Sequence, residues 1–225
     1  MPVLEIYSSI ECPYAYLATY RLRQVGPEFA GQVQVVWRAL SLEYINRRIV
    51  TSPPMFAAEK ELFAHIEPAL PWNLWTRPEW DWPVTLWPAF EALACAQVQN
   101  AAAAWEMSWA LRHAFFAEGR NISMRHEILA LAADVGGLDL AQFEADWDNG
   151  RYKQNVIAES RRGWHELKVN GSATFVLPDG HQMTNPALGE IDFDEENYVL
   201  RSYTPYEGDP LAVYREMINS VKRKT

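Results

Sequence analysis

Strand-forming patterns sit only near the two ends of this chain, and the long stretch between them is patterned for helix. Val3-Leu4-Glu5-Ile6-Tyr7 is a short run of β-formers closed by Ser8-Ser9. Pro13 suits the first turn of a helix, where its missing N–H costs nothing. Tyr16, Leu17, Tyr20 and Val25 carry the apolar stripe of that helix, and Gly26-Pro27 ends it. Residues 32–40, with Val33, Val35, Val36 and Trp37, read as a second strand buried mostly on both faces. Strand signals return at Ala173-Thr174-Phe175-Val176-Leu177, which Pro178-Asp179-Gly180 turns back into a hairpin. Asp209-Pro210 then opens a last helix with Leu211, Tyr214, Ile218 and Val221 inward. Lys222, Arg223 and Lys224 close it against the negative end of its dipole.

Between these ends, five prolines from Pro53 to Pro78 predict mostly loop and short helix. Beyond Pro88 the apolar spacing is helical, with Leu93, Ala96, Val98, Trp105, Trp109 and Phe116 on successive turns. Ser123 and Asp139 look like caps for two further helices, and another is expected over 151–167. The acidic run Glu190, Asp192, Asp194, Glu195, Glu196 reads as a solvated loop. This order is that of an α/β, thioredoxin-like fold with an inserted all-α-helical subdomain. Residues 1–46 and 167–225 would form the thioredoxin-like domain, and 47–166 the helical insertion.

Composition narrows the function classes. The 225 residues carry 20 Lys plus Arg against 29 Asp plus Glu, a formal charge of −9 that argues against nucleic acid. No window approaches the roughly 20 apolar residues of a membrane span. Met1 runs almost directly into a strand with no basic leader, and two cysteines make no disulfide framework, so a cytoplasmic location is expected. Ten tryptophans are an excess, and Trp72, Trp75, Trp80, Trp82 and Trp87 are crowded into one segment.

Chemistry concentrates at the first strand–helix junction, Ser8-Ser9-Ile10-Glu11-Cys12-Pro13-Tyr14-Ala15. A cysteine just before a Pro-initiated helix meets free backbone N–H groups and the positive end of the dipole, which favour thiolate over thiol. Glu11 works the other way. A small buried apolar residue that happens to precede proline is the alternative.

Cys12-Pro13-Tyr14-Ala15 resembles the Cys-Pro-x-Cys active site of the DsbA-like thioredoxin superfamily. Residues 169–176, Val-Asn-Gly-Ser-Ala-Thr-Phe-Val, are similar to the family's Val-x-Gly-x-Pro-Thr-Phe stretch, and Pro178-Asp179-Gly180 and Asn185-Pro186 continue the match. The nearest branch includes FrnE-like and mycothiol-dependent nitroreductase-like proteins, with kappa-class glutathione transferases and 2-hydroxychromene-2-carboxylate isomerases sharing the architecture. The resemblance implies a thiol-dependent oxidoreductase with Cys12 as catalytic residue and Pro13, Tyr14 and Ala15 around it. Ser172, Ala173 and Thr174 would form a docking loop for a thiol substrate.

Two positions depart from the pattern. The second cysteine falls on Ala15, so Cys12 has no internal resolving thiol, and an external one such as glutathione or mycothiol would be the cosubstrate. No tightly bound cofactor is expected. The family's cis-proline falls on Ala173; a non-proline cis bond costs about 2.5–4 kcal/mol, so a trans Ser172–Ala173 bond is expected. Cys95, in an apolar helical stretch, reads as a core residue. Trp72, Trp75, Trp80 and Trp82 suit a groove wall for a planar or apolar ligand, a homodimer contact or plain packing. His113 is a candidate acid or base facing that groove, and the scattered histidines show no metal-ligand spacing. Two further readings are a kappa-transferase or isomerase-like enzyme, in which Cys12 assists a bound cofactor thiol, and a redox-inactive binding protein.

Overall fold

The computed structural model describes residues 1–49, 51–194 and 196–223, so Glu195 and Lys224 lie outside the described residues. Strand β1 (Val3–Ser8) runs parallel to β2 (Gln34–Ala39), with Val3 opposite Gln34 and Ser8 opposite Ala39. Strand β3 (Thr174–Val176) returns antiparallel on the other side of β1, and β4 (Gln182–Thr184) pairs antiparallel with β3. The sheet order is β2-β1-β3-β4. Alternation along β1 divides two cores: Leu4 and Ile6 enter the main one, while Tyr7 joins Leu40, Val169 and Val176 in a smaller one.

Helices α1 (Pro13–Val25) and α9 (Pro210–Arg223) pack on each other beside the sheet. The segment between β2 and β3 is helical: α2 (Leu42–Asn46), α3 (Pro53–Ile66), α4 (Trp87–Gln99), α5 (Ala101–Phe116), α6 (Arg125–Asp134), α7 (Leu140–Asp148) and α8 (Lys153–Arg161). A π-helical turn, Arg162–Leu167, continues α8 back toward β3. This is the expected thioredoxin-like fold with its helical insertion. No helix of the described residues is long and apolar enough to cross a membrane.

Four local expectations are corrected. Strand β2 is an edge strand, half-buried except for Trp37, because α4 covers its outer side: the Gln97 amide bonds the Trp37 N–H and C=O at 2.8 and 2.9 Å. The proline-rich stretch contains the 14-residue helix α3, since Pro53 and Pro54 occupy its first turn and Ser52 caps it. Part of the acidic run is strand β5 (Glu190–Asp194), paired with β6 (Val199–Thr204); Asp194 closes their turn by accepting from the Asn197 N–H at 3.0 Å. Ser123 does not cap α6, which starts after Met124; its hydroxyl bonds the Asn121 side chain instead.

The close approach at Gly163 lets the π-helical turn lie on the sheet. A Cβ there would sit 2.5 Å from Leu40 Cδ1 and 2.8 Å from Tyr7 Cδ1, and both residues are fully buried. Gly163→Ala is therefore expected to destabilise the protein by about 1–3 kcal/mol through overpacking, against less than about 1 kcal/mol gained in helix propensity, read as a lowered urea midpoint.

Candidate active site

Cys12 stands at the N-cap of α1, in extended conformation, with Pro13 at the first helical position and the Tyr16 N–H bonded to the Cys12 carbonyl at 3.0 Å. The β1–α1 loop carrying it is polar and buried: Ser8, Ser9, Glu11 and Cys12 are all at most 5% exposed. Burial on that scale demands partners, and three separate elements supply them.

The first is the loop before β3. Ser172 Oγ accepts from the Ser9 N–H at 2.8 Å, and its carbonyl accepts from the Cys12 thiol at 3.2 Å. Asn185 N–H donates to the Ala173 carbonyl, and the Thr174 hydroxyl bonds the Gly171 carbonyl and Thr184. The Ser172–Ala173 peptide bond is cis, correcting the expected trans geometry: with alanine in place of proline, this loop is held against the Cys12 junction by hydrogen bonds on both sides. The second element is the turn after β2, where the Leu42 N–H donates to Ser9 Oγ, which itself donates to Glu11 Oε2 at 2.6 Å.

The third is α5. Arg112, fully buried, sends Nη2 to Ser8 Oγ at 2.8 Å and to the Ser9 carbonyl at 3.3 Å. Its Nη1 takes the carbonyl and hydroxyl of Ser108, at 3.1 and 2.7 Å, and its guanidinium lies 5.2 Å from the Trp37 ring. His113, the candidate acid or base, turns instead to Glu118 at 3.1 Å and to the Trp109 ring. Ser8 and Ser9 belong to the junction that the sequence points to, whereas Arg112 and Ser108 lie outside it. The available signal is one arginine amid Trp109, Ala110, Leu111, Ala114 and Phe115, on a helix whose other polar side chains are Glu106, Ser108 and His113.

Electrostatics overturn one expectation. The backbone N–H of Ala15 in the first turn of α1 does lower the Cys12 thiol, but burial outweighs it. Burial pushes it up to about 11, with the Glu59 and Glu11 carboxylates adding to the rise and hydrogen bonding at Ser172 opposing it. Burial likewise raises Glu11 to about 7, with Glu43 adding and Ser9 and Arg112 opposing, and Arg112 is itself lowered to about 10 by desolvation.

Around Cys12, Ala15 is fully buried at the position of the second cysteine, and Tyr14 packs edge-on to Phe63. The tryptophans divide by burial. Trp72 lies among Tyr16, Phe56, Phe63 and Phe116, and Trp82 among Trp75, Phe56 and Phe115, so these rings are packed in the core. Trp80 is 83% exposed. Cys95 is buried on α4, its thiol raised to about 12 by burial and by Asp146 and Glu91. The cavity of about 580 Å³ lined by Met1, Leu22, Phe29, Trp105 and Ile218 lies at the other end of β1 from Cys12. No group of three or more His, Cys, Asp or Glu side chains among the described residues could hold a metal ion.

A carboxyl near 7 in the folded state against 4.5 ordinarily holds its proton longer when folded, so its contribution to stability is full below about pH 4.5 and is lost as pH rises through 7. Glu11→Gln is expected to remove that loss. Its unfolding free energy relative to the parent should rise by on the order of 2–4 kcal/mol between about pH 5 and pH 8, measured by urea unfolding.

The model of the DSBA-like thioredoxin domain matches residues 3–196. Comparison with curated proteins gives no match. Among solved structures, the cytosolic disulfide reductase DsbM from Pseudomonas aeruginosa is 19% identical, with TM-score 0.69 over 99% of this chain and 100% of that one. The same reductase with GSH is 20% identical, with TM-score 0.67 over 95% and 97%. A 2-hydroxychromene-2-carboxylate isomerase is 16% identical, with TM-score 0.59 over 81% and 88%. At these identities the likeness is one of fold. The matched span runs from the first residue of β1 past the end of β5 and includes both the Cys12 junction and the cis loop that faces it, so the chain belongs to the DSBA-like thioredoxin domain family.

Proposed function

We propose that this protein is a thiol-dependent oxidoreductase that works through Cys12 alone, with a low-molecular-weight thiol such as glutathione or mycothiol as cosubstrate, in the cytoplasm. The observation that carries the reading is the contact of the Cys12 thiol with the Ser172 carbonyl, at 3.2 Å, which sets the loop before β3 against the thiol. In that arrangement the reactive sulfur of a disulfide would approach between thiol and loop. The Cys12 thiolate would attack one sulfur and form a mixed disulfide, and the other sulfur would leave as a thiolate and take up a proton. With Ala15 in the resolving position and Cys95 buried on α4, an external thiol would then attack the substrate sulfur of the mixed disulfide, leaving as a disulfide with it and releasing Cys12 as a thiolate. The GSH-bound form of the reductase DsbM, alike in fold, supports glutathione as a thiol of the right class.

A second reading is favoured by the raised thiol. A Cys12 held protonated is a hydrogen-bond donor, and it could steady the thiolate of a bound cofactor without forming a disulfide, as a kappa-class transferase or isomerase-like enzyme would require. Cys12→Ser separates the two, because a hydroxyl donates but does not exchange. Glutathione-dependent reduction of a small disulfide such as bis(2-hydroxyethyl) disulfide is expected to fall by at least about a hundredfold in Cys12→Ser, as removal of a nucleophile does. Turnover kept within a few-fold of the parent would overturn the exchange mechanism in favour of the donor role.

A further inference from the structure

At the end of β1 away from Cys12, the thioredoxin-like part and the helical insertion together line the cavity of about 580 Å³. That volume falls within the roughly 300–1,000 Å³ of small-molecule pockets, which gather where two parts of a fold meet. Leu22 on α1, Phe29 in the turn after it and Ile218 on α9 make a buried apolar floor, and the half-buried Trp105 indole on α5 forms a wall. Two glycines of the lining serve space rather than backbone conformation. Gly26 is right-handed, with φ −51°, and a Cβ there would press to 3.1 Å from the Trp105 ring. Gly136 is outside the left-handed region as well, and a Cβ there would meet nothing within 4 Å.

We infer that this cavity is a binding site for an uncharged, planar aromatic molecule, separate from the Cys12 site. The floor offers apolar area, and Trp105 offers a flat ring against which another ring packs. Charge narrows the ligand further. Among the described residues, the charged side chains of the lining are Arg23 and Glu106, and they satisfy each other: Arg23 Nη1 and Nη2 donate to the two Glu106 oxygens at 3.2 and 3.0 Å. The same guanidinium lies 6.0 Å from the Trp105 ring and 5.3 Å from the Trp109 ring, which fixes it further. Lys222 stands 5.5 Å from the Phe29 ring but outside the lining. A carboxylate or ammonium entering here would have to break the Arg23–Glu106 pair or lose its hydration without a partner. An uncharged ring system gives up only its unfavourable contact with water.

The test is fluorescence titration of the full chain with two dyes, N-phenyl-1-naphthylamine and 1-anilinonaphthalene-8-sulfonate, which puts a charge on nearly the same skeleton. The uncharged dye is expected to bind one molecule per chain with a Kd of about 10 µM or tighter, and the sulfonate at least about tenfold more weakly. Ala102→Phe adds a ring at an exposed position of the lining on α5. It is expected to weaken the uncharged dye at least about tenfold with the urea midpoint unmoved. Trp80→Ala removes the exposed indole that lies outside the lining and is expected to leave binding as in the parent. The inference is overturned by absence of saturable binding, by binding lost in Trp80→Ala, by parental binding in a folded Ala102→Phe, or by a sulfonate bound as tightly as the uncharged dye. If Ala102→Phe does not fold, Trp105→Ala decides, with affinity lowered about tenfold in support and parental affinity against. Sedimentation of the parent covers the other occupant: a dimer that Ala102→Phe breaks would give the cavity to a second copy of the chain and overturn the inference. Neither dye carries a thiol or disulfide, so the outcome is independent of exchange at Cys12.

Discussion

The structure depends on keeping one polar loop out of water. Ser8, Ser9, Glu11 and Cys12 follow the central strand directly and are covered on all sides. Each buried donor or acceptor left without a partner would cost about 1–3 kcal/mol. The partners come from residues 100 or more positions away, Arg112 on α5 and Ser172 before β3, and from Leu42 just past β2. The insertion is thereby tied to the thioredoxin-like part at the point where the chemistry would occur. An α5 displaced along its axis would strand Ser8 Oγ and the guanidinium together.

Aromatic packing sets the position of α5 and its neighbours. Tyr16, one turn into α1 from Cys12, stacks on Phe116 with ring centres 4.7 Å apart and also meets Trp109 and Trp72. Phe56 on α3 and Phe116 on α5 close the cluster, and the Tyr16 hydroxyl donates to the Pro71 carbonyl at 2.8 Å. The helix that presents the thiol is thus registered against the same helix that presents Arg112. Large rings with few rotatable bonds suit this work, because they bury much area for little lost freedom. The tryptophan excess is explained in part by this cluster, with Trp80 left standing in solvent.

Element order was legible in the sequence because it rests on periodicity and on proline and glycine punctuation, which are local. The Cys12-Pro13 junction and the hairpin after Ala173 were legible for the same reason. What escaped was set by partners far away in the chain. Strand β2 carries an apolar pattern fit for burial on both faces, yet it lies at an edge because Gln97 caps its backbone. Glu190 to Asp194 looks like solvated loop until β6 supplies its ladder. At the site, His113 is the residue whose type suggests acid–base work, whereas the next residue, Arg112, is the one turned inward. A helical step of about 100° separates them, and residue type alone does not say which faces the core.

Burial reverses the electrostatic balance that the helix terminus alone would set at Cys12. A helix N-terminus is worth about 0.3–1 kcal/mol to an exposed anion, rising to about 2 in favourable buried geometry. Desolvation acts on the same thiol in the other direction. The rise from 9.0 to about 11 corresponds to on the order of 3 kcal/mol against the thiolate with the helix already in place. The sequence shows the helix terminus, because Pro13 announces it, but burial is a property of everything packed around it. A thiol in this state stays protonated at neutral pH until something offsets the loss of water. Glu11, near 7, passes from neutral to charged over the physiological range, and its charge disfavours the thiolate further.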